Sequence, residues 1–348
     1  MKNHVVLWAL VMLLSCPVFG QILRLAELSA DQVKALDRTR TVVLMPGGVL
    51  EEHGPYLPVF TDGYMNEWWT ERIAEAIVAR PGWVVLIFPT LPLGDGGANE
   101  IGGKFAYPGS YGIRVATLRA VYMDLATELG EQGFRWIFVI QNHGSSLHHL
   151  AIDQACEYFS DSYAGQMVNL TGLTPRDVPP PPKLSEEAEK MRGVDIHAGI
   201  SETSRIMFIK PHLVHPQVTN APSFVAATPG ELVSIARKAE WTGYFSSPRY
   251  STAAHGAAVM KHRAETYIKS ALQILDGKDP SEIPRYATSA VEREKEVADG
   301  ALAYDAAVAK KQAEWLKKRG GGAVVPPANF TVRPGFGPPA EPAASCPA

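Results

Sequence analysis

The sequence predicts an α/β fold with three layers, α/β/α, in which a mainly parallel central sheet lies between helices. Apolar runs without polar alternation at residues 41–45, 83–88 and 135–140 are typical of strands that are buried on both faces. Amphipathic patterns between them predict helices, including residues 62–80 and 118–129. Because strands and helices alternate, the crossovers are expected to be right-handed and the strands parallel.

The N-terminus carries the pattern of an export signal. Lys2 precedes an apolar run at residues 5–14, which is too short to span a bilayer comfortably. We expect a signal peptide over residues 1–20, with cleavage before Gln21, or a lipid on Cys16 within a lipobox-like Leu-Leu-Ser-Cys string. An N-terminal core helix is the alternative, but caps are absent. The predicted location is therefore periplasmic or secreted, without a later membrane span.

Composition excludes several classes of partner. The 348 residues suit one large or two modest domains, and 46% apolar with 20% charged residues is ordinary for a globular protein. A net charge of −3 without a basic run argues against nucleic acid or an anionic membrane surface. After signal removal only Cys156 and Cys346 would remain, with Cys16 besides if it is lipidated, so no essential disulfide framework is expected.

The stretch after the first predicted strand gathers the residue types that bind metal. Glu51, His53 and Asp62 stand in a loop that is constrained by glycine and proline. Residues two apart in an extended loop can face the same side. Carboxylate oxygen and imidazole nitrogen bind Zn2+, Mn2+ or Fe2+. Alternatively, Glu51 and Glu52 are solvated charges and His53 is a capping or core histidine.

This stretch resembles the signature of the creatininase (creatinine amidohydrolase) family, roughly P-x-G-S-x-E-x-H-G-x-H-L-P-x-x-T-D. Members of that family are metal-dependent amidohydrolases. The resemblance implies that Glu51, His53 and Asp62 are metal ligands. Val49 at the usual serine position and Tyr56 at the second histidine depart from the signature.

Two later motifs extend the resemblance. Asn142-His143-Gly144 corresponds to a family element whose histidine is a ligand, and residues 195–204 match an Asp-x-His-Ala-Gly-x-x-Glu-Thr-Ser element that makes Glu202 the next ligand. Glu202 would supply the carboxylate missing at Ser145, where creatinine-hydrolysing members carry glutamate. Alternatively, His143 caps a helix, Glu202 serves the helix dipole, or Ser145 or Ser146 is a nucleophile. No G-x-S-x-G elbow supports the last alternative.

The glycine-rich residues 94–110 are interpreted as a mobile active-site loop, since they lack the Lys-Ser/Thr end of a phosphate-binding loop. Here Ile101 and Ser110 replace the family's usual histidine and threonine. These departures concern contacts with the substrate.

The resemblance implies two divalent metal ions bridged by Asp62. Glu51 and His143 would complete one ion, and His53 and Glu202 the other. His197 would stabilise the tetrahedral intermediate or protonate the leaving nitrogen.

The predicted function is hydrolysis, by a metal-bound hydroxide, of a cyclic or linear non-peptide amide C–N bond in a small molecule. The family's habit suggests a homohexamer. A rival prediction, favoured by the departures from the signature, is an exported non-catalytic binding protein with a partial metal site.

The predicted domain organisation places a creatininase-like amidohydrolase domain at residues 21–280. A helical extension follows at residues 281–319, and it includes one alanine- and charge-rich helix from Ser289 to Arg319. Residues 320–348 form a Pro/Gly/Ala-rich tail that is expected to be disordered.

Overall fold

The computed structural model describes residues 20–318, so the predicted tail and all but the last residue of the predicted signal peptide lie outside the described residues. The strands are β1 Ile22–Arg24, β2 Thr41–Pro46, β3 Val84–Ile87, β4 Trp136–Ile140 and β5 Gln166–Asn169. The α-helices are α1 Ala30–Lys34, α2 Thr61–Val78, α3 Ala98–Ile101, α4 Val115–Glu131, α5 Ser146–Ser162, α6 Glu186–Lys190, α7 Ile200–Ile209, α8 Pro229–Arg237, α9 Ala253–Leu275, α10 Tyr286–Arg293 and α11 Lys295–Lys318. Short 3-10 helices span Leu25–Glu27, Leu170–Gly172, Pro211–Leu213, Pro216–Asn220, Pro248–Tyr250 and Pro280–Glu282.

The strands form one parallel sheet in the order β1-β3-β2-β4-β5. In the middle of the sheet, Val43 of β2 lies opposite Leu86 of β3 and Ile137 of β4. The predicted parallel sheet is therefore confirmed. The edge strands β1 and β5 were not predicted, because runs of three and four residues carry too little pattern.

The two faces of the sheet carry separate cores. Val42 and Leu44 of β2 point into a cluster with α2, α7 and α9, whereas Val43 and Met45 point into a cluster with α4 and α5. This alternation follows from the two-residue period of a strand. The predicted α/β/α layers are confirmed, and the apolar runs lack polar alternation because neither face meets water.

The expectation of one helix from Ser289 to Arg319 is wrong. The helical segment begins at Tyr286 and is interrupted at Glu294, which separates α10 from α11. Ala287 and Ala290 of α10 are buried, and α10 packs against α5. Ala298 and Ala301 of α11 are buried beside Leu147 at the start of α5. An alanine- and charge-rich sequence contains no proline that would mark such a break.

By its internal contacts the chain divides after Tyr304, and the described part of the second unit is the end of α11, residues 305–318. Among the described helices, none has the length and apolar character that crossing a membrane requires. Cys156 is a buried free cysteine of α5.

The crossing of α7 and α9 gives a testable stability prediction. A Cβ on Gly256 of α9 would lie 1.8 Å from the backbone oxygen of Ser204 in α7. We therefore expect Gly256→Ala to push the helices apart and to lower the free energy of unfolding by roughly 1–3 kcal/mol. Gly230→Ala in α8 is the matched control, because no atom lies within 4 Å of its Cβ position. Urea unfolding measures both, and equal loss in the two variants would contradict the close crossing.

Candidate metal centre

The candidate site lies where β2 and β4 end, at the carboxyl edge of the parallel sheet. Beyond β2 the chain passes Gly47 and reaches Glu51 and His53, and beyond β4 it reaches His143. The backbone N–H of Gly47 donates to the carbonyl of Ile140 at 3.0 Å. The two loops therefore leave the sheet side by side.

A buried asparagine ties these loops to α2. Asn66 donates its side-chain amide to the carbonyls of Gly47 at 2.9 Å and Asn142 at 3.3 Å. Its side-chain oxygen accepts the N–H of Asn142 at 2.9 Å. Since Asp62 lies one helical turn before Asn66, these bonds hold the Asp62 carboxylate above both loops.

The first group of potential ligands consists of Glu51, Asp62 and His143. His143 Nδ1 lies 2.8 Å from Asp62 Oδ2 and 3.4 Å from Glu51 Oε2. All three side chains are buried, and their ligand atoms lie within 4.8 Å of one another. This is the set that the sequence assigned to one ion.

The second group consists of His53, Asp62 and Glu202. His53 Nε2 lies 3.8 Å from Asp62 Oδ1 and 3.7 Å from Glu202 Oε2. Asp62 thus belongs to both groups and presents a different oxygen to each. That arrangement is what a bridging carboxylate requires.

The third group adds His197 to Glu51 and His53. His197 Nδ1 lies 3.5 Å from Glu51 Oε1, and the His197 and His53 rings lie 4.4 Å apart. The opposite nitrogen, Nε2, lies 2.7 Å from the carbonyl oxygen of Glu52. Because a carbonyl only accepts, Nε2 carries the proton, and in the neutral ring Nδ1 presents its lone pair to the cluster.

All three imidazoles share this orientation. One ring nitrogen of each lies within 3.0 Å of a backbone carbonyl, and the other faces the carboxylates. The pairs are His53 Nδ1 with Glu51 O, His143 Nε2 with Gly96 O, and His197 Nε2 with Glu52 O. Such carbonyl partners fix the tautomer and direction of histidines that bind metal.

The electrostatics of the cluster fit a cation. Burial raises the pKa of Glu51 to about 7. Burial opposes charge on His53 and His143, but the surrounding carboxylates outweigh it and raise the pKa of each to about 10. His53 Nε2 is buried without a hydrogen-bond partner among the described residues. Protons therefore neutralise the cluster when no ion is bound, and a divalent ion would displace them.

His197 behaves differently. Burial, reinforced by the positive charge of His53, lowers its pKa well below the ordinary value. The ring is neutral, in agreement with the proton on Nε2 and the lone pair on Nδ1. The lone pair on Nδ1 can take up a proton at the cluster, and the lowered pKa means that the ring gives that proton up readily.

The turn before α7 places His197 and Glu202 together. Ala198 adopts a left-handed φ of 48°, and its N–H donates to Glu202 Oε2 at 2.7 Å. This hydrogen bond folds the Glu202 side chain back towards the residue that follows His197. Hydrogen bonds at the Ala198 N–H and carbonyl hold this strained backbone in place, as is common at functional sites.

Comparison with known proteins decides the family. Residues 26–271 match the creatininase family, described as creatinine amidohydrolase. The chain belongs to the creatininase family. The resemblance drawn from the sequence motifs is confirmed, and membership makes the protein a hydrolase.

Curated relatives act on different substrates by their names. The creatinine amidohydrolase of Pseudomonas putida is 29% identical over 194 residues, which is 52% of this chain and 72% of the relative. The mycofactocin precursor peptide peptidase of Mycobacterium ulcerans is 24% identical over 265 residues, 73% of this chain and 94% of the relative. Its counterpart from Mycolicibacterium smegmatis is 27% identical over 173 residues, 49% of this chain and 58% of the relative.

Solved structures agree on the fold. A manganese form of creatininase aligns with a TM-score of 0.52 at 20% identity, covering 73% of this chain and 98% of the creatininase. A putative creatinine amidohydrolase from Bacteroides fragilis aligns with a TM-score of 0.51 at 23% identity, covering 74% and 98%. These likenesses establish the creatininase fold for this chain.

Ser145, which stands where creatinine-hydrolysing members carry a glutamate, has a structural role in this chain. Ser145 is the N-cap of α5, where its hydroxyl accepts the N–H of His148 at 3.3 Å. Both ring nitrogens of His143 are already engaged, by Asp62 and by Gly96. The Ser145 hydroxyl lies 3.5 Å from Asp95 Oδ2 and is used as a cap, while the His143 ring faces Asp62 and Gly96. The nucleophile alternative therefore has no support in the geometry.

Sequence reasoning missed Glu52, which it left only as a possible solvated charge. The side chain is buried, and burial together with Glu51 raises its pKa to about 8. Its Oε1 lies 3.7 Å from His197 Nε2, and its carbonyl fixes the His197 ring. The pair Glu51-Glu52 shortly before Gly54 was the available signal. Residue spacing alone does not predict that the Glu52 side chain points into the protein.

The glycine-rich loop, residues 94–110, contacts the candidate ligand residues directly. The N–H of Ala98, at the start of α3, donates to Glu51 Oε1 at 2.6 Å. The loop also provides the Gly96 carbonyl that orients His143, and Ser110 Oγ accepts the N–H of Glu52. The loop was predicted at the active site, but its backbone contacts with the ligand residues were not.

Proposed function

We propose that the protein is a two-metal hydrolase that cleaves a non-peptide amide C–N bond in a small cyclic or linear substrate. The observation that carries this proposal is the shared use of Asp62, whose two oxygens face two different histidines. Glu51, Asp62 and His143 would hold one ion, and His53, Asp62 and Glu202 the other. Zn2+, Mn2+ and Fe2+ all suit these nitrogen and oxygen donors. When bound, the ions would polarise the substrate carbonyl and lower the pKa of attacking water towards about 7.

The chain's own residues manage protons and orientation. His197 Nδ1 accepts the proton of the attacking water, because its lone pair faces the cluster while Nε2–H remains on the Glu52 carbonyl. The same nitrogen then returns the proton to the leaving nitrogen, which makes His197 base and acid in turn. The backbone N–H groups of Ala98 and Ala198 hold Glu51 and Glu202 in place during this cycle.

The choice of substrate follows from the site and the relatives together. Creatinine itself is disfavoured, because Ser145 caps α5 where creatinine-hydrolysing members carry a carboxylate. A peptide bond is the second candidate, since a peptide peptidase matches 73% of this chain. We further propose that the protein is exported, to the periplasm or beyond, and that it self-assembles as family members do.

A substrate screen tests the proposed function. Metal-loaded protein is assayed against small cyclic amides, linear amides and short peptides, with His143→Ala as the inactive control. We expect hydrolysis of a small non-peptide amide that is lost in the control. Hydrolysis confined to peptides would overturn the non-peptide assignment. Metal binding without any hydrolysis would favour a non-catalytic binding protein instead.

A further inference from the structure

The residues beyond the family match include a segment that contacts the candidate metal centre. We call residues 285–304 the C-terminal brace; they contain α10 and the first part of α11. The Tyr286 hydroxyl donates to the carbonyl of Gly144, the residue directly after His143, at 2.9 Å. The family match ends at residue 271, so it assigns no role to this contact.

The proton of Tyr286 has two acceptors. The hydroxyl also lies 3.0 Å from Glu294 Oε1. Burial and the Glu294 carboxylate raise the pKa of Tyr286 to about 12, so the hydroxyl keeps its proton. Because a phenol donates only one hydrogen bond, the Gly144 carbonyl and the Glu294 carboxylate compete for it.

The carbonyl of His143, which precedes that of Gly144 in the same turn, also accepts a hydrogen bond. His149 Nε2 donates to the His143 carbonyl at 2.9 Å, and Asn169 lies 3.1 Å from the opposite ring nitrogen. Burial lowers the pKa of His149 to about 4, so the ring is neutral and that nitrogen accepts. The ring of Tyr286 packs edge-on against His149 with centroids 5.3 Å apart. Tyr286 therefore supports both carbonyls of the turn, one directly and one through His149.

The second part of the brace contacts the glycine-rich loop. Tyr304 stacks on Phe105 with centroids 4.8 Å apart and planes 10° apart. Ala298 and Ala301 are buried against Leu147 at the start of α5. The brace thus packs against both chain segments that fix His143, namely its own turn and the loop whose Gly96 carbonyl binds its ring.

We propose that the C-terminal brace positions His143 as a metal ligand and that Tyr286 is its principal contact. This inference rests on the proposed metal site. The Tyr286 hydroxyl contacts the Gly144 carbonyl and Glu294 and none of the candidate ligand atoms, so Tyr286 acts as a positioning residue. Loss of a group that orients a ligand through hydrogen bonds typically weakens metal binding by about 10–100-fold.

The test uses Tyr286→Phe in the full-length protein. Affinity for Mn2+ is measured by competition with a chromophoric chelator, and amide exchange with deuterium is measured across residues 142–149 in the metal-free protein. We expect about tenfold weaker binding of one ion, little change in the other, and faster exchange in this segment. Tyr163→Phe is the matched control, because that hydroxyl bonds Glu131 on the surface. Its affinity and exchange should equal those of the wild type.

Two further variants test the hydrogen bond of Tyr286 itself. Glu294→Gln replaces the charged competing acceptor by a weaker neutral one, so Mn2+ binding should not weaken and exchange should not become faster. Weaker binding together with faster exchange would contradict the proposed competition. In a His143→Ala background, Tyr286→Phe should cause no additional loss of affinity, since the imidazole that Tyr286 positions is already absent. Unchanged affinity and exchange in Tyr286→Phe would overturn the brace alone. A wild-type protein that binds no divalent ion would overturn the proposed site and the brace with it.

Discussion

Replacing Asp62 by alanine is expected to remove both metal ions. Asp62 Oδ2 lies beside His143 and Oδ1 beside His53, so each ion would lose a ligand. The ions would also lose the negative charge that offsets their mutual repulsion. We expect the affinity for both ions to fall by more than the roughly 10–100-fold that loss of an orienting hydrogen bond costs. Metal content after dialysis measures the effect.

Two variants give this experiment its contrast. Glu202→Ala should weaken mainly one ion, because Glu51, Asp62 and His143 remain for the other. Glu67 lies on the same helix as Asp62, but its carboxylate binds the Thr90 hydroxyl. The metal content of Glu67→Gln should therefore match that of the wild type. If Asp62→Ala retained two tightly bound ions, the bridging assignment would be wrong.

His197→Ala is expected to cut hydrolysis by a factor on the order of 10²–10⁴, which is the usual range for a lost general acid or base. Metal content should stay near the wild-type value, because each ion keeps three other protein ligands. Turnover of the amide found in the screen and metal stoichiometry are measured on the same sample. The experiment distinguishes a proton carrier from a ligand, because His197 Nδ1 lies only 3.5 Å from the candidate ligand atom Glu51 Oε1.

The opposite result has a definite meaning. Loss of one ion in His197→Ala would make His197 a ligand, as the third group of Glu51, His53 and His197 allows. His197→Gln is the companion variant, because an amide can keep the hydrogen bond to the Glu52 carbonyl without accepting a proton. It should retain the ions and remain slow.

The sheet and half of the site were predictable for a physical reason. Buried parallel strands have unbroken apolar sequences, and their carboxyl ends share one edge, so Glu51, His53 and His143 had to approach one another. The short edge strands β1 and β5 escaped prediction because three or four residues do not establish a period.

Other features depend on contacts that no spacing reveals. Glu202 was assigned only through the resemblance, because a glutamate in the first turn of a helix has a simpler explanation in the helix dipole. The burial of Glu52 and the use of the Gly96 carbonyl depend on how the glycine-rich loop folds over Glu51. No proline marks the break at Glu294, which separates α10 from α11.

The most direct test of the two-ion site is a Mn2+ titration of the metal-free wild-type protein, followed by electron paramagnetic resonance. Two ions that share the Asp62 carboxylate should be magnetically coupled. We expect binding to saturate at two equivalents and the spectrum of the fully loaded protein to be that of a coupled pair. Saturation at one equivalent, or two ions with independent spectra, would contradict the shared site.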